Sequence, residues 1–312
     1  MEHKDEHKDI DQATGLRNIL KGESGKIQRL RENNGDRPKV ITITSGKGGV
    51  GKTNVVVNLA VTCQRMGRKV LIFDADLGLA NIDIIFGLNP KHNIEEIING
   101  EKELSEIILK GPEGVAIIPA GSGVQDLTQL TEGQKMHLLN EFDGLNNMFD
   151  LLLVDTAAGI SSNVMYFNLA AEERIVVVTP EPTSITDAYA LIKVMFHQHG
   201  IKNFFLLLNM VPDEKAAKYV YRHLSTVVAQ FMGGISLDYV GYIPTDTFLQ
   251  QAVSRREPVV CCFPDATSSR GFKELAAYLM NQTSRRPIDG NIKFFWKRLM
   301  TQESDQDNAG ED

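Results

Sequence analysis

Ser45-Gly46-Lys47-Gly48-Gly49-Val50-Gly51-Lys52-Thr53 follows an alternating run, Val40-Ile41-Thr42-Ile43-Thr44, that reads as a short buried strand. An apolar helical pattern carried by Val55, Leu59, Ala60, Cys63 and Met66 comes directly after it. Strand, glycine-rich turn and helix together are the setting of a phosphate-binding loop. Gly46, Gly51, Lys52 and Thr53 occupy the fixed positions of G-x-x-x-x-G-K-[ST]. Gly48, Gly49 and Val50 lie between them, and the glycines let consecutive backbone N–H groups turn inward. The helix that follows begins with its positive dipole end aimed at the same point. In this reading Lys52 neutralises the β- and γ-phosphates and the Thr53 hydroxyl ligates Mg²⁺.

Working outward, apolar runs alternate with helical patterns to about residue 283. Strands are expected at 69–73, 115–118, 151–154, 175–178 and 204–208, with a shorter one near 239–243. Continuous rather than alternating apolar runs are what parallel strands covered on both faces require. Helices are expected near 133–142, 163–171, 185–197, 215–231, 246–254 and 270–282. The fold class is α/β: a doubly wound, mostly parallel sheet flanked by helices, with ligand loops at the carboxyl ends of the strands. Three segments follow: 1–37 as an N-terminal peptide and linker, 38–283 as the catalytic domain, and 284–312 as a linker, short helix and acidic tail.

A net charge of −7 over 312 residues argues against nonspecific nucleic-acid binding, which needs a basic face. Cys63, Cys261 and Cys262 form no C-x-x-C pair, so neither a disulfide framework nor a metal cluster is indicated. Cys63 sits on the apolar face of its helix as a small hydrophobe, and His197 and His199 read as solvated side chains at a helix end. No apolar run approaches the roughly 18 residues that span a bilayer, and the polar start is no signal peptide; a cytoplasmic location is expected.

Both ends carry short apolar stripes. Ile10, Ala13, Leu16 and Leu20 recur at spacings of three and four before a polar stretch, as in a docking peptide that orders on a partner. In 291–300, Ile292, Phe295, Trp296, Leu299 and Met300 share one side of a helix, with Lys293, Lys297 and Arg298 away from it. A basic amphipathic helix of this kind suits an anionic membrane surface, and dimerisation would strengthen its weak grip.

The remaining candidates end strands. Asp74 and Asp76 follow the run at 69–73, and Asp155 follows 151–154. An apolar run ending in Asp is the Walker B pattern, whose carboxylate holds Mg²⁺. Lys47 is an extra lysine that a plain phosphate loop does not need; positive charge brought in trans to a developing phosphoryl anion is one use for it.

The loop with its second lysine, the stretch Asp74-Ala75-Asp76-Leu77-Gly78-Leu79, and Asp155-Thr156-Ala157-Ala158-Gly159 together resemble the deviant Walker A ATPases of the MinD/ParA group. The resemblance implies ATP/ADP with Mg²⁺ as ligands and a homodimer closed around ATP, each Lys47 reaching the other subunit's nucleotide. By position it implies that Asp76 orients the attacking water and Asp74 supports the metal. It implies that Asn209 reads the base, and that Pro244 and Asp246 pack on the purine. Hydrolysis would be slow without a partner or membrane.

Asp11 to Arg17, with Gln12 and Leu16, resembles the activator peptide of the FlhG/FleN flagellar number regulators, and Gly51-Lys52-Thr53-Asn54 also fits. In that family the peptide stimulates the flagellar SRP-type GTPase FlhF, while C-ring proteins or a transcription regulator are further effectors. The implied location is the inner face of the cytoplasmic membrane, reversibly and at the cell pole. Ala157 departs from the MinD pattern, which commonly has Pro there, and the tail lacks the usual Leu/Gly ending. Two related readings stand beside this one: a MinD-type division-site ATPase and a ParA-type DNA-partitioning ATPase.

Overall fold

The computed structural model describes residues 39–282, apart from 77–80, 120, 122–129, 144, 146 and 147. Gln12, Leu16 and Arg17, the stripe of Ile292, Phe295, Trp296 and Leu299, and the segments 1–37 and 284–312 lie outside the described residues.

Strands β1 (Lys39–Ser45), β2 (Val70–Ala75), β3 (Leu109–Lys110), β4 (Ala116–Ile118), β5 (Leu151–Ala158), β6 (Glu173–Val178), β7 (Asn203–Val211) and β8 (Ser236–Pro244) build one sheet. Their spatial order is β3-β4-β2-β5-β1-β6-β7-β8. Every neighbouring pair is parallel except β3 with β4. The main helices are α1 (Lys52–Arg65), α2 (Glu132–Asp143), α3 (Ser162–Ala170), α4 (Pro182–His199), α5 (Glu214–Phe231), α6 (Thr247–Arg255) and α7 (Thr267–Asn281). Each strand and helix expected between residues 38 and 283 is present, with ends moved by at most four residues.

The two-residue side-chain period of the strands divides the core into two layers. Ile41, Ile43, Ile72, Leu151, Leu153, Ile175 and Val177 face the side covered by α1, α6 and α7. Their neighbours Val40, Leu71, Phe73, Leu152 and Val154 face α2 and α3, and Val176, Val178, Leu206 and Leu208 face α4 and α5. Both layers need apolar residues, which is why the strands read as unbroken apolar runs. Each fully buried Leu or Ile contributes about 1.5–3 kcal/mol.

Two differences from the sequence expectations and one feature of the topology matter. β5 continues through Ala158 because β1 and β2 pair with it on both sides, aligning Asp74 with Asp155 and Ser45 with Ala158. Asp155 is therefore held inside a strand and not on a turn. Strand β3, which pairs antiparallel with β4, and the short helical segments Ile82–Ile85, Ile94–Ile98, Leu104–Ile107 and Val259–Cys262 lie beyond the sequence expectations; each is too short to show a period. Finally, the chain leaves β1 for β2 on one side of the sheet and returns to β6 on the other. The carboxyl end of β1 thus lies where the strand order reverses, the place where open α/β sheets hold ligands.

Candidate nucleotide-binding site

The loop leaving β1 is shaped by its glycines. Gly49 and Gly51 have φ of +79° and +87°, values that a residue with a Cβ adopts only with strain. A Cβ on Gly46 would run into the Asp187 backbone carbonyl of α4, so the loop lies flat against that helix. The Ser45 hydroxyl donates to the Lys47 carbonyl at 2.7 Å and tightens the first turn. Gly51 caps α1, no side chain makes a capping hydrogen bond to its N-terminus and its first turn carries no acidic residue. The N–H groups there face the loop with a favourable dipole, as an anion-binding terminus requires.

Lys52 is the first residue of α1 and is buried. Burial presses its ammonium below the ordinary lysine range, opposed by the nearby charges of Asp155 and Asp76. Asp155 is 2% exposed. Burial pushes its carboxyl up to about 7, with Asp76 adding to the rise, while the Thr53 hydrogen bond and the Lys52 charge oppose it. Its Oδ1 is buried without a hydrogen-bond partner. An uncompensated buried carboxylate oxygen beside a threonine hydroxyl fits a hard divalent cation with oxygen ligands.

The Asp74 carboxyl is raised well above its ordinary value, first by burial and then by Asp155. Its two oxygens already accept the backbone N–H groups of Asp76 at 3.2 Å, Asn81 at 3.2 Å and Ile82 at 3.3 Å. Asp74 therefore holds the backbone at Asp76, Asn81 and Ile82. Asp76 is half-buried, close enough to Lys52 and Asp155 to influence both.

Asn209, near the end of β7, is 1% exposed. Its amide nitrogen donates to the Val50 carbonyl at 2.7 Å and its Oδ1 has no partner, so it ties the loop to β7 and leaves an acceptor unanswered. Asn54 lies in the first turn of α1 and accepts from Asn58 through its backbone carbonyl. Pro244 ends β8 half-buried.

Asp246 accepts from the Phe248 N–H, the Thr267 hydroxyl, the Ser268 N–H and the Ser268 hydroxyl, each at 2.9 Å. Burial raises its pKa, but these four donors outweigh it and leave the carboxyl below its ordinary value. It caps α6 directly and the start of α7 from a distance.

Lys47 does not stand free in solvent. Its ammonium meets Glu181 Oε2 at 2.5 Å and the Thr183 hydroxyl at 3.0 Å, at the start of α4. Glu181, Thr183 and Met210, which follows Asn209, are site residues that the sequence reading did not single out. Glu181 did carry a signal: an acidic residue just past the apolar run of β6, directly before Pro182.

A sequence profile of the ParA family, described as NUBPL iron-transfer P-loop NTPase, matches residues 37–280. The chain belongs to the ParA/MinD family of P-loop NTPases. Its enzyme class is accordingly an ATPase. Among its ParA/MinD relatives, the antiactivator FleN of Pseudomonas aeruginosa is 42% identical over 84% of this chain and 93% of FleN. The flagellum site-determining protein YlxH of Helicobacter pylori is 34% identical over 93% of this chain and 98% of its own length. The septum site-determining protein MinD from Pyrococcus horikoshii, solved with Mg-ADP, superposes with a TM-score of 0.61. It is 26% identical, and the match covers 78% of this chain and 96% of that one. The likeness to this ParA/MinD ATPase covers 78% of this chain, so family and fold agree.

Proposed function

We propose that the chain is an ATP-driven switch that closes as a homodimer around nucleotide and regulates flagellar number or placement. The observation that carries the reading is the convergence of Lys52, Thr53, Asp155 and Asp76 beneath a glycine loop that has no anion of its own. The flagellar branch is supported by the identity to YlxH, a flagellum site-determining protein by name, and to FleN, an antiactivator by name.

In this reading the N–H groups of Gly48 to Lys52 and the Lys52 ammonium bind the triphosphate, with Gly46 keeping the loop against α4. Asn54, Asn209 and Pro244 line the nucleoside end, and Asp246 fastens the helices beside it. Thr53 and Asp155 would hold Mg²⁺ with Asp74 behind them, and the metal supplies charge neutralisation at the phosphate oxygens. Asp76 accepts a hydrogen bond from the attacking water and orients it. Lys47 exchanges Glu181 for the nucleotide of the second subunit, bringing positive charge to the transition state. Hydrolysis is slow until a partner or membrane is engaged. The outputs are the flagellar SRP-type GTPase, reached through Gln12, Leu16 and Arg17, and an anionic membrane, reached through Ile292, Phe295, Trp296 and Leu299. C-ring proteins or a flagellar transcription regulator complete the set of effectors.

Pelleting with anionic liposomes, comparing ATP with ADP and the full chain with one ending at residue 290, tests the switch. ATP-dependent, tail-dependent pelleting is expected; binding indifferent to both would refute the membrane output. Stimulation of the partner GTPase by a peptide of residues 1–37, lost in Gln12→Ala, is expected for the flagellar branch.

A further inference from the structure

We propose that Met210 contacts the bound nucleotide directly, its thioether forming the shelf on which an amino-bearing purine packs; this rests on the nucleotide-binding reading above. The register of β7 against β8 pairs Asn209 with Ile243 and Val211 with Pro244, leaving Met210 as an extra residue in the strand. Such a bulge turns a side chain away from the direction that the pleat would give it.

The backbone at this position is unusual. Met210 has a φ of +56°, in the left-handed region that disfavours bulky residues. The other described non-glycine residues with positive φ sit where that shape is ordinary: Glu113 in a short turn and Arg256 at the end of α6. Met210 lies inside a strand. The bonds on either side hold it there: Asn209 donates to the Val50 carbonyl at 2.7 Å, and the Thr245 N–H donates to the Val211 carbonyl at 2.8 Å. Conformations of this kind persist where the surroundings enforce them, and they cluster at ligand sites.

The bulge delivers the side chain to the loop. The Met210 methyl carbon lies 3.1 Å from where a Cβ on Gly51 would stand, yet the residue is 41% exposed. An apolar, polarisable group is thus presented to solvent on the lip of the phosphate cradle. Beside it the buried Asn209 Oδ1 has no donor. A flat ring bearing an amino group answers both features at once. Its face covers the thioether, a contact that sulfur makes favourably with aromatic rings, and its amine donates to Asn209. Phosphate alone answers neither.

The test uses the full chain with ¹³C-methyl methionine, Met210→Leu to assign its signal among the ten methionines, and Met210→Gln to remove the sulfur while keeping the length. Saturating Mg-ATP should move the Met210 methyl resonance upfield through the ring current, and magnesium tripolyphosphate should leave it in place. Calorimetry should give Met210→Gln an ATP affinity weaker by roughly two- to tenfold, with unchanged tripolyphosphate affinity. Met210→Leu, which keeps the apolar volume, should bind ATP within about twofold of wild type. ATP that binds without moving the methyl signal would overturn the shelf. So would Met210→Gln losing ATP and tripolyphosphate equally, since the residue would then act through the shape of the loop. A wild-type chain that takes tripolyphosphate but not ATP would refute the nucleotide reading itself, and the shelf with it.

Discussion

Replacing Asp155 by Asn should stabilise the nucleotide-free chain above neutral pH while abolishing ATP turnover. Burial lifts the Asp155 carboxyl from 3.8 to about 7. That is about 3 pKa units, so the ionised carboxylate costs about 4 kcal/mol at about 1.4 kcal/mol per unit. The sign follows from proton uptake. Between pH 3.8 and 7 the folded chain keeps a proton that the unfolded chain has released, so stability falls as pH rises through this window and is flat above it. Asn carries no charge and avoids this cost at every pH. Part of the gain is lost, because Lys52 would lose the Asp155 countercharge and keep that of Asp76. A net gain of about 1–3 kcal/mol at pH 8 remains, roughly 2–10 °C in melting temperature for a chain of this size. Melts of both proteins in EDTA at pH 5, 6, 7 and 8 provide the assay. The difference should be smallest at pH 5, grow up to about pH 7 and then level off. A variant that melts at or below wild type at pH 8, or a difference that ignores pH, would refute the argument that this carboxylate is held uncompensated.

Two further predictions separate roles that the geometry brings close together. Glu181→Gln weakens the exposed Lys47–Glu181 pair, worth about 0.2–1 kcal/mol. If Lys47 must leave Glu181 to reach a second subunit, ATP-dependent dimerisation measured by sedimentation should tighten by up to about fivefold per pair; a weaker dimer would mean that Glu181 also serves in the closed state. Asp246→Ala removes the acceptor shared by the starts of α6 and α7, at about 0.5–2 kcal/mol per helix start. Melting temperature should fall while ATP affinity of the folded chain holds; unchanged melting with tenfold weaker ATP binding would make Asp246 a purine contact and not a fastener.

The legible part of the site was the part written in adjacent residues. Gly46 to Thr53 form one loop because glycine torsions, an N-terminal lysine and a flanking helix are local properties, and they keep their meaning wherever the loop is placed. Asp74 and Asp155 were legible for a related reason: each is the first polar residue after a run that two-sided burial makes apolar. Even there the sequence under-described Asp155. That β5 continues past it depends on β1 and β2 pairing on both sides, and only the assembled sheet provides that.

The less legible part depends on segments far apart in the chain. Lys47 meets Glu181 across 134 residues, and Asn209 meets Val50 across 159. Neither partnership leaves a local mark, because a lysine in a loop and an asparagine near a strand end have many equivalent local uses. The same holds for Asp246, whose position suits a purine contact, while its carboxylate holds α7 from 22 residues away. Met210 is the limiting case. Nothing in Leu208-Asn209-Met210-Val211 distinguishes a bulged, left-handed methionine from one more apolar residue of a strand. Its conformation is set by two bonds that fix the chain on either side, one to the phosphate loop and one from the segment after β8. The chemistry of the phosphate end is therefore carried by a contiguous motif. The nucleoside end, in the proposed reading, is assembled from the ends of β7 and β8, which no single stretch of sequence brings together.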